Sequence, residues 1–150
     1  MTLHFEDLVA GAVFDLGTVA VDEEEMLAFA KQFDPQPFHV DPRAAEQSPF
    51  HGVIASGWFT GSLFMRLYVD ALLADSASQG SPGCEDLRWL SPVRGGDLLS
   101  GRLIVLETRD SATRTDRGTA IMRGELLRDG EPVFRVTFRG LFGRRTPLVR

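Results

Sequence analysis

Residues 56–73 read SGWFTGSLFMRLYVDALL, and the fold turns on how this stretch is read. Trp58, Phe59, Leu63, Phe64, Met65, Leu67, Val69 and Leu72 fall on nearly every side of a helical wheel. A helix with no polar face is a buried one, so the pattern predicts a long core helix from Ser56 to Leu73. Its first turns and approach are small (Ala55, Ser56, Gly57, Gly61, Ser62), which lets another backbone come close. Arg66 and Asp70 mark the run, and it is too short for a membrane span.

What flanks the helix says what wraps it. Residues 12–21 place Phe14 and Leu16, then Val19 and Val21, at two-residue spacing around Gly17, the signature of a strand with a bulge. Asp22 and Glu25 then form a capping-box pattern. Met26, Phe29, Ala30 and Phe33 share one face of the helix that follows, and Asp34-Pro35 stops it. Asp41-Pro42 starts a short helix through about Gln47. Residues 75–83 are a Ser/Gly/Pro loop. Beyond it, Leu87–Val93, Leu98–Thr108, Thr119–Leu127 and Val133–Phe142 read as strands, with turns at Gly95-Gly96-Asp97 and Asp129-Gly130. There is no repeat or linker, so residues 1–150 are expected to form one α+β domain. A curved antiparallel sheet would use its apolar face to wrap the long helix.

The bulk numbers set outer bounds. A chain of 150 residues with 43% hydrophobic and 25% charged residues has the make-up of an ordinary globular domain. Cys84 is the single cysteine, so no internal disulfide forms. His4, Glu6 and Asp7 break any apolar N-terminal run, which leaves a cytoplasmic location as the expectation, with no membrane partner. A net charge of −5 argues against nucleic acid as a partner. The charge is uneven: residues 76–150 hold 13 arginines against 9 acidic residues. Those arginines are either solvated strand faces or contacts to a ligand's phosphates.

Most chemical motifs are missing. No phosphate-binding glycine loop or dinucleotide fingerprint occurs. His4, His39, His51 and Cys84 are too scattered for a zinc site. Ser56-Gly57 lacks the glycine two residues earlier that a nucleophile elbow needs, since Ile54 stands there. The segment left is Asp34-Pro35-Gln36-Pro37-Phe38-His39-Val40-Asp41. Two prolines stiffen it, so a carboxylate and an imidazole are held in fixed relation and can share one water. The plainer alternatives are an Asp-Pro turn and a structural histidine beside Phe38. Asp41 reads as a helix N-cap and His51 as structural.

This segment resembles the hydratase motif of the MaoC-like family, which includes the R-specific enoyl-CoA hydratases. That motif runs Asp, any residue, Asn, Pro, an apolar residue, His, any residue, Asp. An Ala-Ala helix and Ile-Ala-His-Gly at the head of a central helix follow it. Asp34, Pro37, His39, Asp41, Ala44, Ala45, Ile54, Ala55 and Gly57 match in order, and Pro92-Val93-Arg94-Gly95-Gly96-Asp97 is similar to a turn common in these proteins. Gln36 stands in place of Asn, and Ser56 in place of His; Phe38 and Trp58 are bulkier than usual.

The resemblance implies a hotdog fold, a dimer as the smallest unit, and reversible hydration of 2-enoyl-CoA to 3-hydroxyacyl-CoA. It further implies Asp34 and His39 as the catalytic pair and the Gly57 N–H as the thioester oxyanion contact. Gln36, Phe38, Ser56 and Trp58 would surround them. No metal or other cofactor is implied, because coenzyme A belongs to the substrate. Three rivals stand beside this reading. A hotdog thioesterase would want a carboxylate early on the central helix, and none precedes Asp70. A non-catalytic acyl-CoA-binding module would share the fold without a poised pair. A structural or interaction protein would leave the rigid Asp34–His39 loop unexplained.

Overall fold

The computed structural model describes residues 1–150. Strand β1 (Val13–Ala20) leads into α1 (Glu23–Phe33), two short helices α2 (Pro37–Val40) and α3 (Pro42–Glu46), and the long α4 (Gly57–Ala71). Strands β2 (Gly83–Trp89), β3 (Leu98–Asp110), β4 (Arg117–Arg128) and β5 (Glu131–Gly143) follow. All five strands form one antiparallel sheet in the order β1-β3-β4-β5-β2. Wrapped around α4, it makes a hotdog fold.

Local chemistry accounts for the boundaries. Asp22 caps α1 by accepting the Glu25 N–H, and Asp41 caps α3 by accepting from Arg43 and Ala44. Pairing of β1 with β3 slips between Asp15 and Gly17, so the expected bulge is there; Gly17 has φ +86°, and the Asp15 carboxylate accepts its N–H. Asp129 and Gly130 both take positive φ in the tight hairpin between β4 and β5.

Three expectations need correction. The segment before β3 is a strand only over Gly83–Trp89, not Leu87–Val93. Leu90 makes a last bond to Val133, and the chain then leaves the sheet at Ser91-Pro92 to meet the head of α4, where the Val93 carbonyl accepts the Ala55 N–H at 2.7 Å. Residues 37–40, expected as loop, form a helical turn with Pro37 at its start. The long helix runs Gly57–Ala71, shorter than Ser56–Leu73, and is not enclosed on all sides. Phe59, Thr60, Phe64, Leu67 and Tyr68 are buried, whereas Trp58, Ser62, Met65, Arg66 and Asp70 are exposed.

The buried face of α4 packs on Leu99, Leu103, Val105, Met122, Leu126 and Phe134. Burying each such side chain stabilises the fold by roughly 1.5–3 kcal/mol. The helix can sit close because Gly124 lies directly under the Phe64 ring, where a Cβ would collide with it. On the outer sheet face the arginines pair with carboxylates, among them Arg102–Glu125, Arg135–Asp86 and Arg139–Glu85. Those contacts match the solvated-face reading of the arginine excess. No helix is long and apolar enough to cross a membrane.

Candidate active site

The site forms where α1 ends, α2 begins and α4 starts. Asp34 is the C-cap of α1, forced out of helical geometry by Pro35. His39 lies on the α2 turn and is 5% exposed. Its Nε2 lies 3.2 Å from Asp34 Oδ2, so the two groups meet directly. On the other side of the ring, Nδ1 is 2.8 Å from the Ile54 carbonyl. A carbonyl only accepts, so Nδ1 carries a hydrogen and Nε2 is the nitrogen turned to the carboxylate.

Asp34 has two further donors. The Gln36 amide gives a hydrogen bond to Oδ1 at 2.7 Å, and the Ser56 hydroxyl gives one to Oδ2 at 2.8 Å. Burial works to raise the carboxyl's pKa, but Gln36, Ser56 and the His39 charge together hold it below the ordinary aspartate value.

Ser56 occupies the N-cap of α4 without capping it. With the hydroxyl turned to Asp34, the first-turn N–H groups of α4 receive no side-chain cap, and Gly57 lines the same cavity as Asp34 and His39. Trp89 holds this turn from the other side. Its indole N–H donates to the Gly57 carbonyl at 2.7 Å, and its ring lies so close to the glycine that a Cβ would overlap it. Any residue but glycine would have to push Trp89 away.

The cavity measures about 380 Å³. Asp34, His39, Thr60 and Ser91 are its polar side chains; Phe50, Ile54, Trp58, Trp89, Leu90, Pro92 and Val93 supply apolar walls, and no lysine or arginine reaches it. Trp58 and Trp89 meet edge to face with centroids 5.1 Å apart.

The remaining sequence candidates take different places. Phe38 is not in the lining; its ring packs edge-on against His39 at 4.5 Å and against Phe50 at 5.4 Å, behind the site. Gln36 and Ser56 touch Asp34 rather than the cavity. Trp89 and Arg94 were missed. Arg94 steadies the cavity wall by donating to the Phe50 carbonyl at 2.6 Å, a contact across 44 residues with no local sequence signal. The signal that could have pointed to Trp89 is a bulky aromatic, one of two tryptophans in the chain, just before the Ser91-Pro92 turn. Cys84 is exposed on β2. Nowhere do three His, Cys, Asp or Glu side chains converge as a metal cluster would.

A hotdog domain with a carboxylate–imidazole pair at the head of its central helix defines a class of protein, and the comparisons agree with it. The MaoC like domain model matches residues 8–122, and the chain belongs to that family. It is 32% identical over 106 residues to the uncharacterized protein YdeM of Bacillus subtilis, covering 70% of this chain and 74% of that one. Among solved structures, a MaoC-like dehydratase from Rhodospirillum rubrum superposes with a TM-score of 0.88 at 40% identity, over 96% of this chain and 99% of that one. The R-hydratase PhaJ1 from Pseudomonas aeruginosa gives 0.73 at 24% identity, over 99% and 91%, and so shows likeness of fold.

Proposed function

We propose that this protein reversibly hydrates 2-enoyl thioesters of coenzyme A, with Asp34 and His39 as its acid–base pair. The observation that carries the reading is the direct Asp34–His39 contact in one cavity with the uncapped first turn of α4. Membership of the MaoC-like family and the hydratase relatives support it.

Roles follow from the donors around each group. Gln36 and Ser56 both donate to Asp34, which favours the carboxylate, so Asp34 is assigned as the base and His39 as the proton donor. In hydration, Asp34 takes a proton from water as the oxygen bonds to the β-carbon. The electron pair of the double bond moves to the thioester oxygen, which the Gly57 N–H holds as an enolate. His39 Nε2–H then gives its proton to the α-carbon. Transfer of the proton from Asp34 to His39 restores the pair. Acid–base catalysis of this kind contributes ~10²–10⁴-fold, and the oxyanion contact ~10²–10³.

The lining also narrows the acyl group. No lysine or arginine lines the cavity and His39 already faces Asp34, so a neutral enoyl chain fits and a second carboxylate would find no free cationic partner.

Steady-state hydration of enoyl-CoAs of several lengths is the test, with a carboxylated enoyl-CoA as the contrast. Turnover of the neutral series is expected. A wild-type protein that binds these esters and hydrates none would favour the non-catalytic acyl-CoA-binding reading.

A further inference from the structure

We infer that Gln36 and Ser56 act as positioning residues, a two-sided clamp that fixes the Asp34 carboxylate and aims it at the substrate. The inference rests on the hydratase reading above. These are the two motif positions where this chain departs from its family, and both side chains end on the same carboxylate.

Gln36 holds Oδ1 and Ser56 holds Oδ2, so the carboxylate plane is fixed from both ends. His39 is the charged or titratable side chain that faces Asp34; Gln36 and Ser56 are neutral. The longer glutamine reaches back two residues to Oδ1. Ser56 is 0% exposed and has no other side-chain hydrogen bond to make. Its donation joins the two halves of the site. A serine at an N-cap ordinarily accepts an N–H of the helix's first turn. Here the hydroxyl points away, so one contact orients the base and leaves the α4 terminus open for the thioester oxygen.

The test is a carboxyl-carbon NMR titration of Asp34 in the intact protein, beside steady-state hydration of a short 2-enoyl-CoA. The variants are Ser56→Ala, Gln36→Leu and Ser56→Thr. Gln36 is exposed, so its replacement leaves the core untouched even if the Ser56 variants fold poorly. In Ser56→Ala and Gln36→Leu the Asp34 titration is expected to move to higher pH, and the acid limb of kcat with it. At neutral pH the carboxylate stays ionised, so the loss there measures aim: kcat falls about tenfold while KM stays within about twofold. Ser56→Thr keeps the donor and restores both readouts. An unmoved titration in both Ser56→Ala and Gln36→Leu overturns the clamp, even if hydration itself is observed. Titrations that move in a protein hydrating no enoyl-CoA support the clamp and overturn the hydratase reading instead.

Discussion

Asp34 and His39 meet at 3.2 Å, and under the proposed reaction that contact has kinetic consequences. Asp34→Asn keeps shape but removes the base, so hydration should fall by about 10²–10⁴. His39→Ala removes the acid and should cost a similar factor. Because each residue depends on the other's proton, the double variant should be scarcely slower than either single one; a loss equal to the product of the two would mean that they act independently. Both residues stood out in the sequence because they flank two prolines in a short segment that resembles the hydratase motif. The use made of Ser56 was not. An N-cap serine reads as a cap, and only the approach of Asp34 from 22 residues away redirects its hydroxyl.

At the scale of elements, the placing of α4 on the sheet decides how the site is held. Phe64 presses on Gly124 of β4 so closely that a single methyl group has no room. Gly124→Ala should therefore destabilise the protein by about 1–3 kcal/mol, measured as a lower urea midpoint. Adding Phe64→Leu should recover part of that loss, whereas equal stability of Gly124→Ala and wild type would disprove the close contact. The helix was legible from its apolar run, yet its exposed half was not. Trp58 at 61% exposure and Met65 at 46% are apolar residues that the sheet of this chain never reaches. Hydrophobicity predicts burial without naming what does the burying.

For the whole molecule, the uncovered side of α4 continues onto β2, an edge strand ending in Trp89, and Trp89 and the Leu90 that follows it are both more than 40% exposed. An open edge beside an apolar face is a liability that pairing removes. A second copy is expected there, and sedimentation should give twice the chain mass, reverting to the single mass with Met65→Glu; a stable wild-type monomer would refute this. Acid stability is also a property of the whole. Asp7, held low by the His4 backbone N–H and then by Arg145, joins the first residues to the last. Asp86, held low by Arg88 and Arg135, joins β2 to β5, and Asp34 is lowered in the site. A depressed folded pKa stabilises above the unfolded value and is lost as pH falls through the folded one. The thermal midpoint should thus change little from these groups between pH 7 and 5 and drop below about pH 4. A midpoint that does not fall in acid would show that these pairs contribute nothing.

From sequence alone came the α+β class, the long helix, the bulge at Gly17, both Asp caps and the residues of the proposed acid–base pair, all features written in periodicities or in motifs a few residues long. The strand order, the end of β2 at Trp89, the open face of α4 and the Trp89 contact to Gly57 depend on residues that meet across 30 or more positions. Such meetings follow from how the sheet curls and where the chain crosses back to the helix. Local pattern dictates what each segment can become; only packing dictates which side chains then meet.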